Sequence, residues 1–283
     1  MRQTVLAVLT CAMLAGCQSP GVGPSSPVPG APPSAPATPY RVGDADLRKA
    51  RAIHEKALEK GLVYAPGENP VATRYVDRVV ANISAQRPPG SAPLRGFIVK
   101  DDDVNAFTTG TGYLYFNRGL LKALDNEAQL AMVAAHEAAH VDAGHLPQGN
   151  QTRATVDALT SLGAAVLDGV GGLGGTLGKI GVGLAGRRAN AFYSQGHELE
   201  ADDIGLAYVL RAGYDGQQAA SAFRVLAAAN GSRGGLAELF SSHPASAGRF
   251  QAIAAKAAAS GQRGGFVGGD DYARMVATLG GPR

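Results

Sequence analysis

The sequence predicts an α+β fold dominated by helices, and three observations carry that expectation. Apolar residues recur at helical spacing through most of the chain after Asp44, only two short stretches read as strands, and a Gly-rich turn separates those two. Hydrophobic residues make up 45% of the 283 and charged residues 17%, which fits a globular chain with an ordinary core rather than a disordered one. The net charge of +3 reflects 26 basic against 23 acidic residues, and no basic run exceeds Arg187-Arg188. Neither nucleic acid nor an anionic surface is therefore expected as the main partner.

Three regions are expected along the chain. Residues 1–16 read as a lipoprotein signal peptide: Arg2 is followed by an apolar run from Thr4 to Leu14, too short to span a bilayer. Leu14-Ala15-Gly16-Cys17 resembles the bacterial lipobox, which implies cleavage before Cys17 and a lipid on its sulfur. Only Cys11 and Cys17 exist, so after cleavage and lipidation no cysteine remains for a disulfide or a metal. Residues 17–43, dense in Pro, Ser and Gly with Tyr40 as the only aromatic, read as a tether that buries too little surface to fold. Residues 44–283 are expected to form the folded domain.

Within that domain, Ala45, Leu47, Ala50, Ile53, Ala57 and Leu58 share a helical face that Gly61 ends. A second helix is expected from Pro70 to Ala85, with Val71, Tyr75, Val79 and Ile83 inward. Phe97 to Val99 and Tyr113 to Phe116 read as strands flanking the turn Thr109-Gly110-Thr111-Gly112. Helical patterns then cover Gly119 to Leu124, Glu127 to Ala143 (capped by Asp125 or Asn126), Ala189 to Ala212, Gln217 to Ala229 and Ala245 to Ala259. Thr155 to Gly186 is apolar but interrupted by Asp157, Asp168 and Lys179, and it holds ten glycines between Gly163 and Gly186. That much glycine disfavours a helix, so a loop or a pair of small helices is expected rather than a membrane hairpin.

The chemistry concentrates in His136-Glu137-Ala138-Ala139-His140. On a helix the two histidines stack on one face and reach a single ion, while Glu137 points elsewhere and is free to act as a base. A tetrahedral zinc with an open position needs a third ligand. The candidates are His145, His197, Glu198, Glu200, Asp202 and His243. Glu198 fits best, because Asp202 shares its helical face and can hold the far nitrogen of a ligand histidine. His145 lies off the ligand face and, like His54, reads as a surface or helix-end histidine; His197 and Glu200 read as exposed. Asp101-Asp102-Asp103 lacks calcium-loop spacing and reads as a solvated turn.

His136-Glu-Ala-Ala-His140 with a later Glu198-x-x-x-Asp202 resembles the gluzincin peptidases and, within them, family M48. Asn105-Ala106-Phe107, Gly112-Tyr-Leu-Tyr-Phe-Asn117, Asp125-Asn-Glu-Ala128 and Ser242-His243-Pro244 before Arg249 add to the likeness, which spans about Asp44 to Ile253. The resemblance is nearest to periplasmic lipoprotein-type members; the membrane helices of HtpX and the repeat domain of BepA-like proteins are missing. It implies a zincin-like domain with a small sheet beside the histidine helix. It also implies one Zn2+ per chain on His136, His140 and Glu198, and Glu137 as general base. The substrate would be polypeptide from the cell envelope, paired against an edge strand around Tyr113 to Phe116. Asn105 and Ala106 would contact the substrate backbone.

His243 stays open among three roles: an oxyanion donor, a fourth ligand that latches the site, or a structural His-Pro turn. The competing function is a non-catalytic periplasmic chaperone or assembly factor with a retained zinc site. Gln18 after Cys17 resembles the sorting signal of outer-membrane lipoproteins. Cys17→Ser is therefore expected to leave the protein unlipidated and to shift it out of the outer-membrane fraction, since acyl chains supply its stable anchoring.

Overall fold

The computed structural model describes residues 38–145, 193–232, 243, 247–262 and 264–280. The expected signal segment, Cys17, most of the tether and the Gly-rich stretch Thr155 to Gly186 lie outside the described residues. In chain order the elements are α1 (Asp44–Glu59), α2 (Pro70–Ser84), β1 (Arg95–Val99), β2 (Ala106–Thr108), β3 (Tyr113–Asn117), α3 (Arg118–Ala123) and α4 (Glu127–Asp142). They continue as α5 (Gln195–Arg211), α6 (Gly216–Ala220), α7 (Ala222–Ser232), α8 (Ala247–Ala259) and α9 (Gly269–Ala277). The fold is α+β and helix-rich, with one small sheet. No described helix is long and apolar enough to cross a membrane.

Local chemistry explains most of the boundaries. Pro70 opens α2 behind Asn69, whose side chain accepts a hydrogen bond from Ala72 N. Asn126 rather than Asp125 caps α4, accepting from Gln129 N at 3.0 Å. Helix α5 starts later than the pattern from Ala189 suggested, because Ser194 caps it by accepting from His197 N; residues 189–192 lie outside the described ones. The stretch expected as one helix from Gln217 divides at Ser221, whose hydroxyl donates to Gln218 O. The first turns of α1 and α2 are offset from the expected face, so Leu47 and Val71 are exposed while Asp46 and Ala72 are buried.

The sheet overturns one expectation. Its order is β1-β3-β2, with β3 parallel to β1 and antiparallel to β2. Tyr113 to Phe116 is thus the central strand, and its backbone is already paired on both sides. The outer side of β1 is also occupied, since Tyr64 N donates to Ile98 O and Lys100 N to Leu62 O. The three-residue strand β2, buried throughout and too short to show alternation, forms the edge that no described strand covers.

Alternation along β3 separates two layers. Leu114 and Phe116 join α2, α4 and α5 in the main core. Tyr115 packs instead with Ile53 and Ala57 of α1 and stacks on Phe107, and Tyr113 borders the same cluster. Tyr113, expected to contact substrate, packs on the α1 layer rather than in the core that holds α4. His54, expected at the surface, belongs to this layer: its ring lies 3.9 Å from Phe97, and Nδ1 is 3.2 Å from the Tyr115 hydroxyl.

Every residue of α4 is buried, so the domain is built around this helix. Its two ends are clamped alike. At the start, Arg78 donates two hydrogen bonds to Glu127 at 2.9 and 2.7 Å, and the Tyr214 hydroxyl donates a third at 2.8 Å. At the end, Arg87 donates to Asp142 at 2.8 and 2.7 Å and the Tyr208 hydroxyl at 2.7 Å. Tyr40 also docks there: its N–H donates to Asp142 O, and its ring packs on Gly144, so domain contacts begin before Asp44. The most extensive helix contact is between α4 and α5, and Gly205 permits it. A Cβ at Gly205 would stand 3.1 Å from His136 N and 3.2 Å from Ala135 C, so the α4 backbone would have to give by a few tenths of an ångström.

The Arg87–Asp142 pair is shut away from solvent on both sides, so removing one partner strands the other charge. Arg87→Leu is expected to lower the unfolding free energy by about 3–5 kcal/mol in urea titrations. The double variant Arg87→Leu/Asp142→Leu should recover much of that loss, because no buried charge is left.

Candidate metal centre

Helix α4 presents His136 and His140 on the face that α5 crosses, one turn apart, as the four-residue spacing requires. Their Nε2 atoms lie 3.1 Å from each other. Glu198, in the first turn of α5, brings Oε1 to 3.4 Å from His140 Nε2 and Oε2 to 3.6 Å from His136 Nε2. A fourth donor comes from a distant part of the chain: His243 Nδ1 is 3.3 Å from His136 Nε2 and 2.9 Å from Glu198 Oε1. The donor atoms of these four buried residues all lie within 4.8 Å of one another.

That donor set fits zinc. Bonds of about 2.0–2.1 Å in a tetrahedron put neighbouring ligand atoms roughly 3.3 Å apart. The observed spacings of 2.9 to 3.6 Å among the histidine nitrogens and the carboxylate oxygens bracket that edge. Two imidazoles, a carboxylate and a third imidazole also make a nitrogen/oxygen set typical of zinc.

Around these donors, charge is balanced by residues that sequence reasoning gave no role. Asp202 Oδ1 lies 3.0 Å from His136 Nδ1. Arg249 of α8 then donates to Asp202 through Nε at 2.8 Å and Nη2 at 2.7 Å, and its Nη1 lies 2.6 Å from Glu198 Oε2. A signal for Arg249 existed: buried Glu198 and Asp202 demand a cation, and Arg249 is the one arginine in an otherwise Ala-rich helix after His243. Tyr193, just before α5, stacks on His140 at 3.7 Å between ring centres and sits 4.8 Å from His243. Nothing in its sequence context pointed to that contact.

The remaining candidates separate. Glu137 is buried beside the cluster, with Oε1 3.4 Å from His243 Nε2. His145, expected at the surface, is buried with Nδ1 2.8 Å from His140 Nδ1. Glu200 is exposed and His197 partly so, near the expectation. Asn105 and Ala106 are buried where the chain enters β2, and the Asn105 side-chain oxygen has no hydrogen-bond partner among the described residues. Asp102 pairs with Arg118 and Lys122 on the surface, as a solvated turn does.

The electrostatics follow from burial and pairing. Burial raises the Glu137 carboxyl above its ordinary range, against the opposing pull of His243, His136 and the Thr108 backbone. Burial alone would raise Glu198 too, but the facing His243, His136 and His140 hold it far below the usual carboxylate range. Asp202 is likewise held low, by Arg249 and His136. Burial would lower His136, yet Asp202 and Glu198 bring it up to about 10. His140, with burial dominant, is pushed well below its ordinary value.

These shifts set the pH response of the metal-free protein. His136 binds its proton more tightly folded than unfolded, so its stabilisation is full below about pH 6.5 and is lost as pH rises toward 10. The raised Glu137 acts in the same direction, whereas His140 costs stability below about pH 6.5, where the unfolded chain takes its proton. Urea midpoints measured in chelator should therefore fall between about pH 6.5 and 10. Asp202→Asn should flatten that fall.

Known proteins place this arrangement. Residues 68–257 match Peptidase family M48. The chain is 31% identical over 189 residues to the beta-barrel assembly-enhancing protease of Yersinia pestis, covering 62% of this chain and 35% of that protein. It is 29% identical over 224 residues to metalloprotease LoiP of Escherichia coli K12, covering 78% of this chain and 84% of that one. It is 30% identical over 211 residues to the mitochondrial metalloendopeptidase OMA1 of Schizosaccharomyces pombe, covering 74% and 60%. The match spans about a third of the length of the beta-barrel assembly-enhancing proteases. The histidine pair on α4, the carboxylates of α5 and the matched span together make this chain a member of peptidase family M48.

Proposed function

We propose that this chain is a zinc-dependent metalloendopeptidase that hydrolyses polypeptides of the cell envelope. The observation that carries the reading is a buried base, Glu137, adjoining a four-donor cluster that fits zinc. His136, His140 and Glu198 would hold the ion, with Asp202 and Arg249 fixing His136 and Glu198. When bound, zinc polarises a scissile carbonyl and lowers the pKa of water toward 7. Glu137 takes the proton of the attacking water and passes it to the leaving amine, a role suited to a carboxyl whose burial raises its proton affinity.

The substrate pairs with β2 rather than with the strand at Tyr113. Support comes from the uncovered edge of Ala106 to Thr108 and from the Thr108 backbone lying against Glu137, so an added strand would run beside the base. Asn105, with its unpartnered side-chain oxygen, is placed at the start of that edge. The name of the beta-barrel assembly-enhancing proteases supports envelope proteins as substrates. The lipobox supports a periplasm-facing anchor at Cys17 in the outer membrane.

His243 is proposed as a fourth ligand that keeps the site latent. Its Nδ1 completes the donor set, and a fourth protein ligand fills the position that catalysis needs open. The same closed set is what a non-catalytic zinc protein would have, which makes that the second reading. A purely structural site has no use for a carboxyl buried at Glu137.

Casein degradation with and without chelator tests the activity. Glu137→Gln should lower turnover by roughly 10²-fold or more while zinc content stays near one per chain; retention of more than about a tenth of turnover contradicts the base. Glu198→Ala should lose zinc, and Asp202→Ala should bind it about 10- to 100-fold more weakly. His243→Ala should degrade casein faster than wild type; an inert His243→Ala protein that still holds zinc would favour the non-catalytic reading.

A further inference from the structure

Helix α4 ends in a turn that returns the chain to the metal centre. Gly144 adopts a left-handed φ of 66°, and His145 N then donates to His140 O at 3.1 Å. This folds the His145 ring back under His140. Its Nδ1 meets His140 Nδ1 at 2.8 Å, and its Nε2 lies 3.3 Å from Glu200 Oε2. His197 stacks on the other side of the ring, at 4.4 Å and 11°. Both nitrogens of a buried imidazole thus have one partner each, as burial requires.

Those contacts fix the protons. If His140 uses Nε2 toward the ion, its Nδ1 carries hydrogen and must donate. His145 Nδ1 is then the acceptor, so its own proton sits on Nε2 and is donated to the Glu200 carboxylate. Each link leaves a single tautomer for the next, and the chain ends on a partly solvated anion. His136 has a separate support, since its Nδ1 faces Asp202 and, through it, Arg249. Helix α5 therefore serves the two histidines of α4 by different routes, Asp202 directly and Glu200 through a second imidazole.

We propose that His145 and Glu200 are positioning residues that hold His140 in its ligand tautomer and orientation. The proposal deepens the zinc reading above and rests on it. Its physical basis is that a carboxylate at the far end of the relay makes His140 a more basic, better oriented ligand, an effect that partners behind metal-bound histidines commonly contribute.

Zinc affinity measured by competition with a chromophoric chelator tests it without recourse to turnover. His145→Ala should bind about 10- to 100-fold more weakly. His145→Asn, whose side-chain oxygen takes the place of Nδ1, should stay within about threefold of wild type, whereas His145→Gln, which mimics Nε2, should fall with alanine. Glu200→Ala changes an exposed side chain and should fold normally. It should weaken zinc in the wild-type background and have no effect in His145→Asn, where the relay is already cut. Equal losses in His145→Asn and His145→Gln would reduce His145 to packing and overturn the proposal. So would unchanged affinity in both His145→Ala and Glu200→Ala while His140→Ala binds weakly, an outcome that leaves the zinc reading intact. Affinity indifferent to His140→Ala would remove the zinc reading itself, and the relay with it.

Discussion

Three carboxylates in one apolar interior dominate this domain. Glu137, Glu198 and Asp202 are each almost wholly buried, and an unpaired buried charge costs several kcal/mol. The fold meets that constraint with Arg249, forked on Asp202 and reaching Glu198, and with His136 between the two α5 carboxylates. Glu137 pairs with no arginine among the described residues, and burial raises its proton affinity. The charges that are paired become fixed scaffolding, and the one left unpaired by arginine is the one suited to move a proton.

The same constraint explains the construction around α4. A helix buried on every side cannot be placed by amphipathicity, since no face is marked as outer. It is placed by polar clamps instead. Arg78 with Tyr214 holds Glu127, and Arg87 with Tyr208 holds Asp142. Glu127 sits favourably at the helix start, whereas Asp142 opposes the dipole at the end, so the sealed Arg87 contact there offsets an otherwise unfavourable charge. Between the clamps, the missing side chain of Gly205 lets α5 approach until Glu198 reaches both histidines.

Strand order decides how a peptide could reach this centre. With β3 in the middle and β1 covered by residues 62–64, β2 is the edge that no described strand covers, and the Thr108 backbone lies against Glu137. Access at the donor cluster is a separate matter, because His243 occupies it from a loop outside any described helix. An edge strand beside a donor cluster that includes His243 is the arrangement that the proposed latent protease requires.

What the sequence determined by itself is what short-range geometry controls. The four-residue spacings of His136 with His140 and of Glu198 with Asp202 place side chains on one helical face whatever surrounds them, Asn126 marks the start of α4 through a bond to Gln129 three residues on, and Pro70 marks that of α2 through its fixed backbone angle. The helix-rich α+β character follows from the same local periodicity. Tertiary structure alone decided the order of strands, because β2 is too short to carry a pattern and hydrogen bonding, not sequence order, put β3 at the centre. It also decided that Arg249 neutralises α5, that Tyr193 covers His140, and that the turn at Gly144 brings His145 beneath the centre. These contacts depend on where separate segments meet in space, and burial converts such meetings into obligatory pairings that no local spacing encodes.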